Sequence, residues 1–539
     1  MKIVLTNAKI YTVNKNRDWA DSLVIEDGKI LYVGDKAGAL AYKESDTQIR
    51  DMGGKMILPG FIEGHIHTFG AAAFQSAIPL GGLTSKEDVF AALNEYVEEN
   101  PAADCYFGVG WLETLFGDKG PNKKDLDAIT DKPMALISAS CHTCWVNSKA
   151  LEIAGITKDT PDPIPNAQFF MRDENGEPTG YCIENKPLNM IFNAHKYINM
   201  SKVFPCLSGL SHGFVEEGIT TCAEVGTYDF IKTILNDELK PFIDSEEYLG
   251  RIICCGDVAG DPDVIEDKFQ WALKWQKEYQ SDKLRLNFFK VLSDGTIENS
   301  SAACPTPYPS TGKVVPPLFS EDQEFEYMMK AYANGLDYNI HAIGPDAVHR
   351  ALMAAGRARK AGAKELRISM SHSQCVYDDD IELFGKYDVF ANTTPVWIPM
   401  ADKEMEDALY ALIQSNAFPL KRMKDSGARI GFGSDFPTDP RGFNVFNNIE
   451  CGITRQPIGM KDFYITGPDE RLTLDDMIAG YTINNAYQIR MEDKIGSIEV
   501  GKYADLIVLD KNLFEIEVHD IHNVKVIETI FNGDTCFKG

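Results

Sequence analysis

Residues 57–67 read Ile57-Leu58-Pro59-Gly60-Phe61-Ile62-Glu63-Gly64-His65-Ile66-His67, an apolar run of strand length that ends in two histidines one residue apart. Alternate residues of an extended chain share a face, so both imidazoles leave the same side of the strand. Imidazole ligates zinc, iron, nickel and copper, and two ligands on one stiff element fix part of a coordination sphere in advance. The pair predicts a metal site at a strand end, with an ordinary core or surface pair as the alternative.

Seven further apolar runs of strand length follow, separated by stretches with helical periodicity such as 261–279, 321–334 and 346–360. The eight strands are predicted at 58–65, 219–226, 251–258, 286–292, 336–343, 367–373, 388–393 and 429–435. Eight strands in β/α alternation is the count of a (β/α)8 TIM-type barrel, an α/β fold. A doubly wound open sheet has a similar alternation and is the alternative.

The two ends of the chain carry short alternating runs with turns between them, which is typical of antiparallel hairpins. We predict that residues 1–56 and 495–539 form one discontinuous small β-sandwich domain, and that 57–69 and 206–494 form the barrel. Residues 70–205 are far more than a β/α crossover needs. This range is therefore predicted to be an insertion after the first barrel strand that covers the pocket.

Length and charge narrow the function classes. A chain of 539 residues is too long for one ordinary core. Its 80 acidic and 53 basic residues give a net charge of −27, which disfavours nucleic acid and anionic membranes as partners. Residues 1–10 lack the apolar core of a signal peptide and no run approaches the ~18 apolar residues of a membrane span, so a cytoplasmic location is expected. The twelve cysteines do not form a disulfide-framework pattern.

The candidate metal ligands share one position, the carboxyl end of a predicted barrel strand. The chain has only ten histidines, and four of them lie at such ends. With one lysine and one aspartate the set is His65 and His67 on the first strand, Lys290 on the fourth, His341 on the fifth, His372 on the sixth and Asp435 on the eighth. Because this face carries the active site of such barrels, the set predicts a metal-dependent active site.

Several longer motifs surround these residues and span almost the whole chain. They are Pro59 to His67, Lys290-Val291-Leu292-Ser293-Asp294-Gly295, His341-Ala342-Ile343-Gly344, Ser371-His372-Ser373-Gln374, Gly433-Ser434-Asp435-Phe436-Pro437, Asn147-Ser148-Lys149-Ala150-Leu151, Gly176-Glu177-Pro178-Thr179-Gly180 and the closing 496–506. In these motifs the chain resembles the amidohydrolase superfamily of metal-dependent hydrolases, and specifically its amidohydrolase 3 (YtcJ-like) branch. The resemblance is specific for the family and uninformative about the substrate.

The resemblance implies a centre of one or two divalent ions, with zinc expected. His65, His67 and Asp435 would hold one ion, His341 and His372 the second, and Lys290 would bridge them as a carbamate. A lysine ammonium cannot ligate a cation, so the side chain must lose a proton and take up carbon dioxide. The apolar neighbours of Lys290 make a bare ammonium there costly to bury, although a surface or salt-bridging lysine is the alternative.

The resemblance also implies a reaction. Asp435 would act as general base for a metal-bound water in the hydrolysis of a non-peptide carbon–nitrogen bond, as in an N-acyl, N-formyl or cyclic amide. Asp435 as a turn cap is the alternative. An isomerase or decarboxylase on the same fold, or a non-catalytic regulatory homologue, remains open. The expected partners are a small-molecule substrate and a second copy of the chain in a homodimer.

Other residues are candidates for substrate contacts. His142 lies where the family often has a histidine in the insertion, and the aromatic Trp111, Phe116 and Trp397 are candidate pocket walls, with simple core positions as the alternative. Base-deaminating relatives have a glutamate three residues after the strand-five histidine, where this chain has Gly344, so nucleobase deamination is disfavoured.

Two competing motifs are weaker. Gly209-Leu210-Ser211-His212-Gly213 fits a serine-hydrolase elbow, but its apolar spacing favours a helix. Cys141-His142-Thr143-Cys144 is a lone Cys-x-x-Cys without a second pair.

Overall fold

The computed structural model describes residues 2–117, 119–141, 143–163, 168–226, 236–260, 264–297, 300–309, 312–439 and 441–539, with the backbone alone at 185 and 256–259. The chain divides into two compact units. The first contains Met1–Thr68, Leu210–Gly226 and Asp237–Gly539, and the second is built on Phe69–Gly209. The second unit thus covers the range predicted as an insertion. The terminal β region and the barrel, which the sequence divides into separate domains, lie in one unit.

Eight parallel strands form the central sheet of the first unit, and their order in the sheet follows the chain. They are β1 Phe61–Ile66, β2 Ile219–Glu224, β3 Arg251–Ala259, β4 Leu284–Leu292, β5 Asp337–Ala342, β6 Ile368–His372, β7 Val389–Thr393 and β8 Ile430–Phe432. A doubly wound sheet reverses its strand order at a switch point, whereas this order is sequential. The predicted TIM-type α/β fold is confirmed, and the open-sheet alternative is wrong.

The first predicted strand, 58–65, is two strands in the structure. Met56–Pro59 pairs antiparallel with Leu506–Leu509 in a sheet formed by the chain ends. β1 begins after Gly60 and pairs with β2. The apolar run is continuous across both strands, so local periodicity could not separate them.

The barrel closes between β8 and β1 through residues just beyond the strand end. The described residues form no ladder between these two strands. Instead, the Asp435 N–H donates to the His65 carbonyl at 2.8 Å, and the His67 N–H donates to the Phe436 carbonyl at 2.9 Å. These two bonds place the His-x-His pair beside Asp435.

An asparagine side chain completes this closure further down the strands. The Asn485 amide donates to the carbonyls of Ile62 on β1 at 2.7 Å and Phe432 on β8 at 2.8 Å. At Gly64 an added Cβ would lie 2.6 Å from both amide atoms of Asn485, so only glycine allows this approach.

Helices of the first unit follow the barrel strands. They are Leu239–Asp244, Ile265–Glu278, Glu321–Ala333, Pro345–Lys360, Asp378–Lys386, Lys403–Ile413, Leu420–Asp425, Val445–Thr454, Leu474–Ala479, the π-helical Gly480–Asn484 and Asn485–Gln488. Local signals start several of them. For example, Ser320 and Gln323 form a capping box before Glu321–Ala333, and a proline opens Pro345–Lys360. A short pair, Cys375–Val376 with Asn416–Ala417, lies beyond β6.

The chain ends form two sheets with a shared core. In sheet order the first contains Lys29–Gly34, Ser22–Glu26, Lys2–Thr6 and Gln48–Asp51. The second contains Asp534–Lys538, Val526–Phe531, Leu506–Leu509, Met56–Pro59, Lys9–Tyr11 and Trp19–Ala20. Leu5 and Leu23 of the first pack in one buried cluster with Leu506 and Ile530 of the second. The helix Lys36–Leu40 lies between two strands of the first sheet in the chain.

The second unit has a sheet of its own. In sheet order its strands are Phe169–Arg172, Pro178–Ile183, Thr143–Val146, Met134–Ser138, Tyr106–Trp111 and Ile78–Pro79. Its helices are Lys86–Glu99, Lys123–Asp127, Ser148–Ile153 and Asn185–Ala194, while Thr68–Gln75 and Met200–Glu216 run across the unit boundaries. Trp111, Trp145 and Leu136 lie in its buried core.

The structure answers three questions raised by the sequence. In the part of the chain that the structure describes, no helix combines the length and apolarity of a bilayer span. All twelve cysteines carry free thiols. Ser211 lies inside the helix Met200–Glu216 rather than between a strand and a helix, so the serine-hydrolase elbow is wrong.

Candidate metal centre

The six predicted ligands lie at one end of the barrel. His65 and His341 are the penultimate residues of β1 and β5, and His372 is the last residue of β6. The other three are Lys290 near the end of β4, His67 directly after β1 and Asp435 three residues after β8. In parallel strands these positions share the carboxyl edge, where the barrel fold builds its sites.

Asp435 lies between the two histidines of the His-x-His pair. Its Oδ1 atom is 3.3 Å from His65 Nε2 and 3.2 Å from His67 Nε2. Ligand atoms of His65, His372 and Asp435 all lie within 4.8 Å of one another. Among the described residues Asp435 Oδ1 has no hydrogen-bond partner although it is buried. Nitrogen and carboxylate oxygen atoms that face one another at this spacing fit a bound cation.

Two histidines are held by backbone carbonyls. His67 Nδ1 contacts the Gly226 carbonyl at 2.7 Å, and His341 Nε2 contacts the Gly295 carbonyl at 3.2 Å. A carbonyl only accepts, so these ring nitrogens carry a proton and the opposite ring nitrogens are the ones that could ligate a metal. A carbonyl on the far side of the ring is the usual arrangement for a metal-ligating histidine.

The ionisation states also fit a metal. Burial lowers the pKa of His65 to about 4 and that of His341 to about 3, and the nearby Lys290 adds to both shifts. Burial by itself would raise the pKa of Asp435, but the facing His65 and His67 hold it well below its usual range. At neutral pH the His65 and His341 imidazoles are therefore uncharged and the Asp435 carboxylate is charged, which are the forms that bind metal. For His67 burial lowers the pKa, but the facing Asp435 outweighs burial and raises it.

Lys290 is buried in the same region. Its Nζ atom donates to Ser371 Oγ at 2.9 Å. Burial lowers the pKa of Lys290 to about 8, because an ammonium is poorly solvated there. The side chain is thus shifted toward the neutral amine, the form that can react with carbon dioxide. The alternative of a surface lysine is wrong, since Lys290 is only 2% exposed.

The aromatic candidates have different surroundings. Trp397 is stacked on the His372 ring, with centroids 5.6 Å apart and an interplanar angle of 13°. Its indole N–H donates to Asp439 Oδ2 at 2.7 Å, so the ring is held beside the cluster. Trp111 is fully buried and donates to the Leu136 carbonyl, so it is a core residue of the second unit and not a pocket wall. Phe116 packs against Trp111 in that core, and His142 lies outside the described residues.

Glu63 is a site residue that the sequence reasoning missed. It is fully buried, and its Oε1 atom accepts the backbone N–H groups of His65 at 3.1 Å and Ser434 at 2.8 Å. One carboxylate therefore ties the His-x-His strand to the segment that carries Asp435. A charged residue inside an otherwise apolar run was the available signal.

Asp294 joins the turns after β4 and β5. Its carboxylate accepts the backbone N–H groups of Ile343 at 3.0 Å, Gly344 at 2.7 Å and Ala303 at 2.9 Å. An added Cβ at Gly344 would lie 2.2 Å from the Ala303 carbonyl oxygen. No side chain is therefore accommodated at Gly344, three residues after His341.

The chain matches known proteins over nearly its full length. The model of the amidohydrolase family matches residues 48–537. The exoenzymes regulatory protein AepA of Pectobacterium carotovorum subsp. carotovorum is 30% identical over 414 residues, which are 74% of this chain and 86% of that protein. The putative amidohydrolase YtcJ of Bacillus subtilis (strain 168) is 25% identical over 548 residues, with 100% of both chains covered. The N-substituted formamide deformylase of Arthrobacter pascens is 23% identical over 560 residues, 98% of this chain and 97% of that protein.

A solved structure shares the fold. An uncharacterized metal-dependent hydrolase from Pyrococcus horikoshii OT3 superposes with a TM-score of 0.74 at 22% identity, covering 96% of this chain and 99% of that one. The likeness at this identity concerns the architecture.

Proposed function

Because this chain belongs to the amidohydrolase family, we propose that it hydrolyses a non-peptide carbon–nitrogen bond in a small-molecule substrate. N-acyl, N-formyl and cyclic amides are the proposed substrate classes. The observation that carries the proposal is the contact of Asp435 Oδ1 with the Nε2 atoms of both His65 and His67, at 3.3 and 3.2 Å. The formamide deformylase among the relatives supports N-formyl compounds as the first class to test.

The residues at the carboxyl end of the barrel would hold one or two divalent ions, with zinc proposed. Those residues are His65, His67, Asp435, His341, His372 and, as a bridging carbamate, Lys290. When bound, the metal supplies a water whose pKa is lowered toward ~7 and polarises the scissile carbonyl.

The protein's own groups move the proton. Asp435 is a carboxylate at neutral pH, so it can accept the proton of the attacking water as the new carbon–oxygen bond forms. The same carboxyl group then gives this proton to the leaving nitrogen as the carbon–nitrogen bond breaks. The products are a carboxylic acid and an amine, and Asp435 returns to its starting state. Trp397 offers a flat apolar wall beside His372 for the substrate.

The test combines metal analysis with a panel of amides. We expect the purified protein to contain a divalent metal, to lose activity on chelation and to regain it when metal is returned. Asp435→Asn should lower kcat by roughly 10²–10⁴, the range for a lost general base. His212→Asn, an exposed histidine of the helix Met200–Glu216, is the matched control and should be unchanged. Undiminished turnover by Asp435→Asn would refute the proposed role of Asp435 as general base.

Two other functions make different predictions for the same panel. Hydrolysis adds the mass of water, whereas an isomerase leaves the mass unchanged and a decarboxylase removes carbon dioxide. The relative named as a regulatory protein favours a non-catalytic role as second candidate. That role predicts no bound metal and no turnover with any amide.

We also propose an oligomeric state and a cellular location. A homodimer is proposed from the family resemblance, and a cytoplasmic location is proposed with it. Light scattering after size-exclusion chromatography tests the first and cell fractionation the second.

A further inference from the structure

A chain of buried polar side chains runs from Lys290 across the barrel interior. Lys290 Nζ donates to Ser371 Oγ at 2.9 Å, and Ser371 Oγ donates to Asn339 Oδ1 at 2.9 Å. Asn339 Nδ2 then donates to Ser369 Oγ at 2.9 Å. All four residues are at most 8% exposed. Branched apolar side chains usually fill such an interior, and buried polar groups are costly unless their hydrogen bonds are satisfied.

The direction of each bond in this chain is fixed. A serine hydroxyl has one proton, and Ser371 gives its proton to the Asn339 carbonyl oxygen. The Asn339 amide presents that oxygen because its NH₂ group faces Ser369. Toward Lys290, Ser371 can therefore act only as an acceptor. Its oxygen accepts one N–H of Lys290, and it has no proton left to give in return.

The number of donors on Lys290 decides which form fits this acceptor. An ammonium has three N–H donors, whereas the described residues give Nζ a single hydrogen-bond partner. A carbamate nitrogen has one N–H donor. One donor facing one acceptor leaves no buried N–H without a partner, so the carbamate matches the site and the ammonium does not.

We propose that Ser371, held as an acceptor by Asn339, is the positioning residue that favours and orients a carbamate on Lys290; this rests on the proposed function, in which that carbamate would help to hold the metal. The neutral amine attacks the carbon of carbon dioxide, a carbon–nitrogen bond forms and one carbon–oxygen electron pair moves to oxygen. One proton leaves to solvent, and Nζ keeps one hydrogen. Because a carbamate is planar about its carbon–nitrogen bond, fixing this N–H fixes the plane of both oxygens.

The test measures the carbamate itself. The full-length protein is equilibrated with ¹³C-bicarbonate, and labelled Lys290 is quantified by ¹³C NMR and native mass spectrometry. Ser371→Ala should lower the carbamate occupancy roughly tenfold at ambient carbon dioxide, as for one lost hydrogen bond to a charged group. Raised bicarbonate should restore occupancy and kcat together, which a merely structural defect would not allow. Ser211→Ala, another fully buried serine whose hydroxyl accepts the Leu249 N–H at 3.1 Å, should keep wild-type occupancy.

A second variant keeps the test decisive if Ser371→Ala fails to fold. Ser371→Cys keeps nearly the same volume but offers a weak acceptor, so its occupancy should also fall while its circular dichroism stays native. Full occupancy in either folded variant overturns the proposal. Wild-type protein that binds metal and hydrolyses amides without label on Lys290 overturns it too, and leaves the proposed function standing. If the wild type carries the label and the variants carry less, the role of Ser371 is supported even when no amide is hydrolysed. The lack of hydrolysis then counts against the proposed function alone.

Discussion

Three carboxyl side chains lie buried beside the candidate centre. Burial raises the pKa of Glu63 to about 8, and those of Asp294 and Glu324 to about 7. Glu63 and Asp294 accept backbone N–H groups of the segments that carry ligands, while Glu324 accepts the Ser293 hydroxyl. These groups hold the loops of the site while remaining partly uncharged at neutral pH.

Glu324 makes stability depend on pH. Burial raises its folded pKa to about 7 from an ordinary value of 4.5, so its contribution to stability is present below pH 4.5 and is lost as the pH rises through 7. The loss is at most ~3 kcal/mol, at 1.36 kcal/mol for each pKa unit. Glu324→Gln should flatten the free energy of unfolding between these pH values, measured by chemical denaturation. Glu326→Gln, an exposed residue on the same helix, should leave the pH dependence unchanged. Parallel wild-type and Glu324→Gln curves would contradict the prediction.

Between β8 and β1, side-chain amides replace the missing ladder. The Asn485 amide binds carbonyls of both strands, and the Gln488 and Asn392 amides donate to the Gly64 carbonyl at 3.1 and 3.2 Å. The short helix Asn485–Gln488 thus acts as a clamp across the closure. Because His65 follows Gly64 directly, the clamp also fixes the position of a candidate ligand.

Removal of this clamp should loosen the barrel. Asn485→Ala leaves the Ile62 and Phe432 carbonyls without the amide, at a cost of roughly 1–3 kcal/mol for each buried group. Chemical denaturation measures the loss, and elemental analysis should show weaker metal retention. Asn484→Ala removes one bond, to the Ile430 carbonyl at 2.8 Å, from a partly exposed neighbour and should cost less. Equal losses of unfolding free energy in the two variants would show that Asn485 contributes no more to the barrel closure than Asn484 does.

The chain ends and the barrel are joined by a buried ion pair. Arg251, the first residue of β3, pairs with Asp505, and the two residues are 1% and 5% exposed. Its guanidinium also donates to Asn532 and lies over the rings of Tyr503 and Phe531, at 4.9 and 4.4 Å. This cluster explains why the first unit contains both parts.

Breaking the pair should destabilise the first unit as a whole. Asp505→Asn leaves a buried guanidinium without its counter-charge, which costs about 3–5 kcal/mol. We expect the terminal sheets and the barrel to unfold together, in one transition at lower denaturant concentration than in the wild type. Hydrogen exchange measured in both parts checks this. Glu515→Gln, which breaks the exposed pair with Lys9, should leave the transition unchanged. Exchange that increases in the terminal sheets alone would show that the two parts are independent.

Most of the fold could be predicted from local sequence patterns. Periodicity along the chain predicts the eight barrel strands, because side-chain alternation is a property of neighbouring residues. Its failure at 58–65 has the same cause, since one apolar run serves two sheets. The candidate ligand set could be read from the sequence because each member lies at or just beyond the carboxyl end of a strand. The two tryptophans could not be told apart in this way: Trp111 is core and Trp397 lies on His372.

The sequence therefore determines which side chains could ligate a metal and at which strand ends they lie. The folded chain sets which ring nitrogen of His67 and His341 donates to a backbone carbonyl, through carbonyls 159 and 46 residues away. It also sets the contact of Asp435 with both histidines and the acceptor role of Ser371. Such contacts join groups far apart in the chain, and no local preference of either partner specifies them; they form only once burial of the whole barrel has brought the strands together.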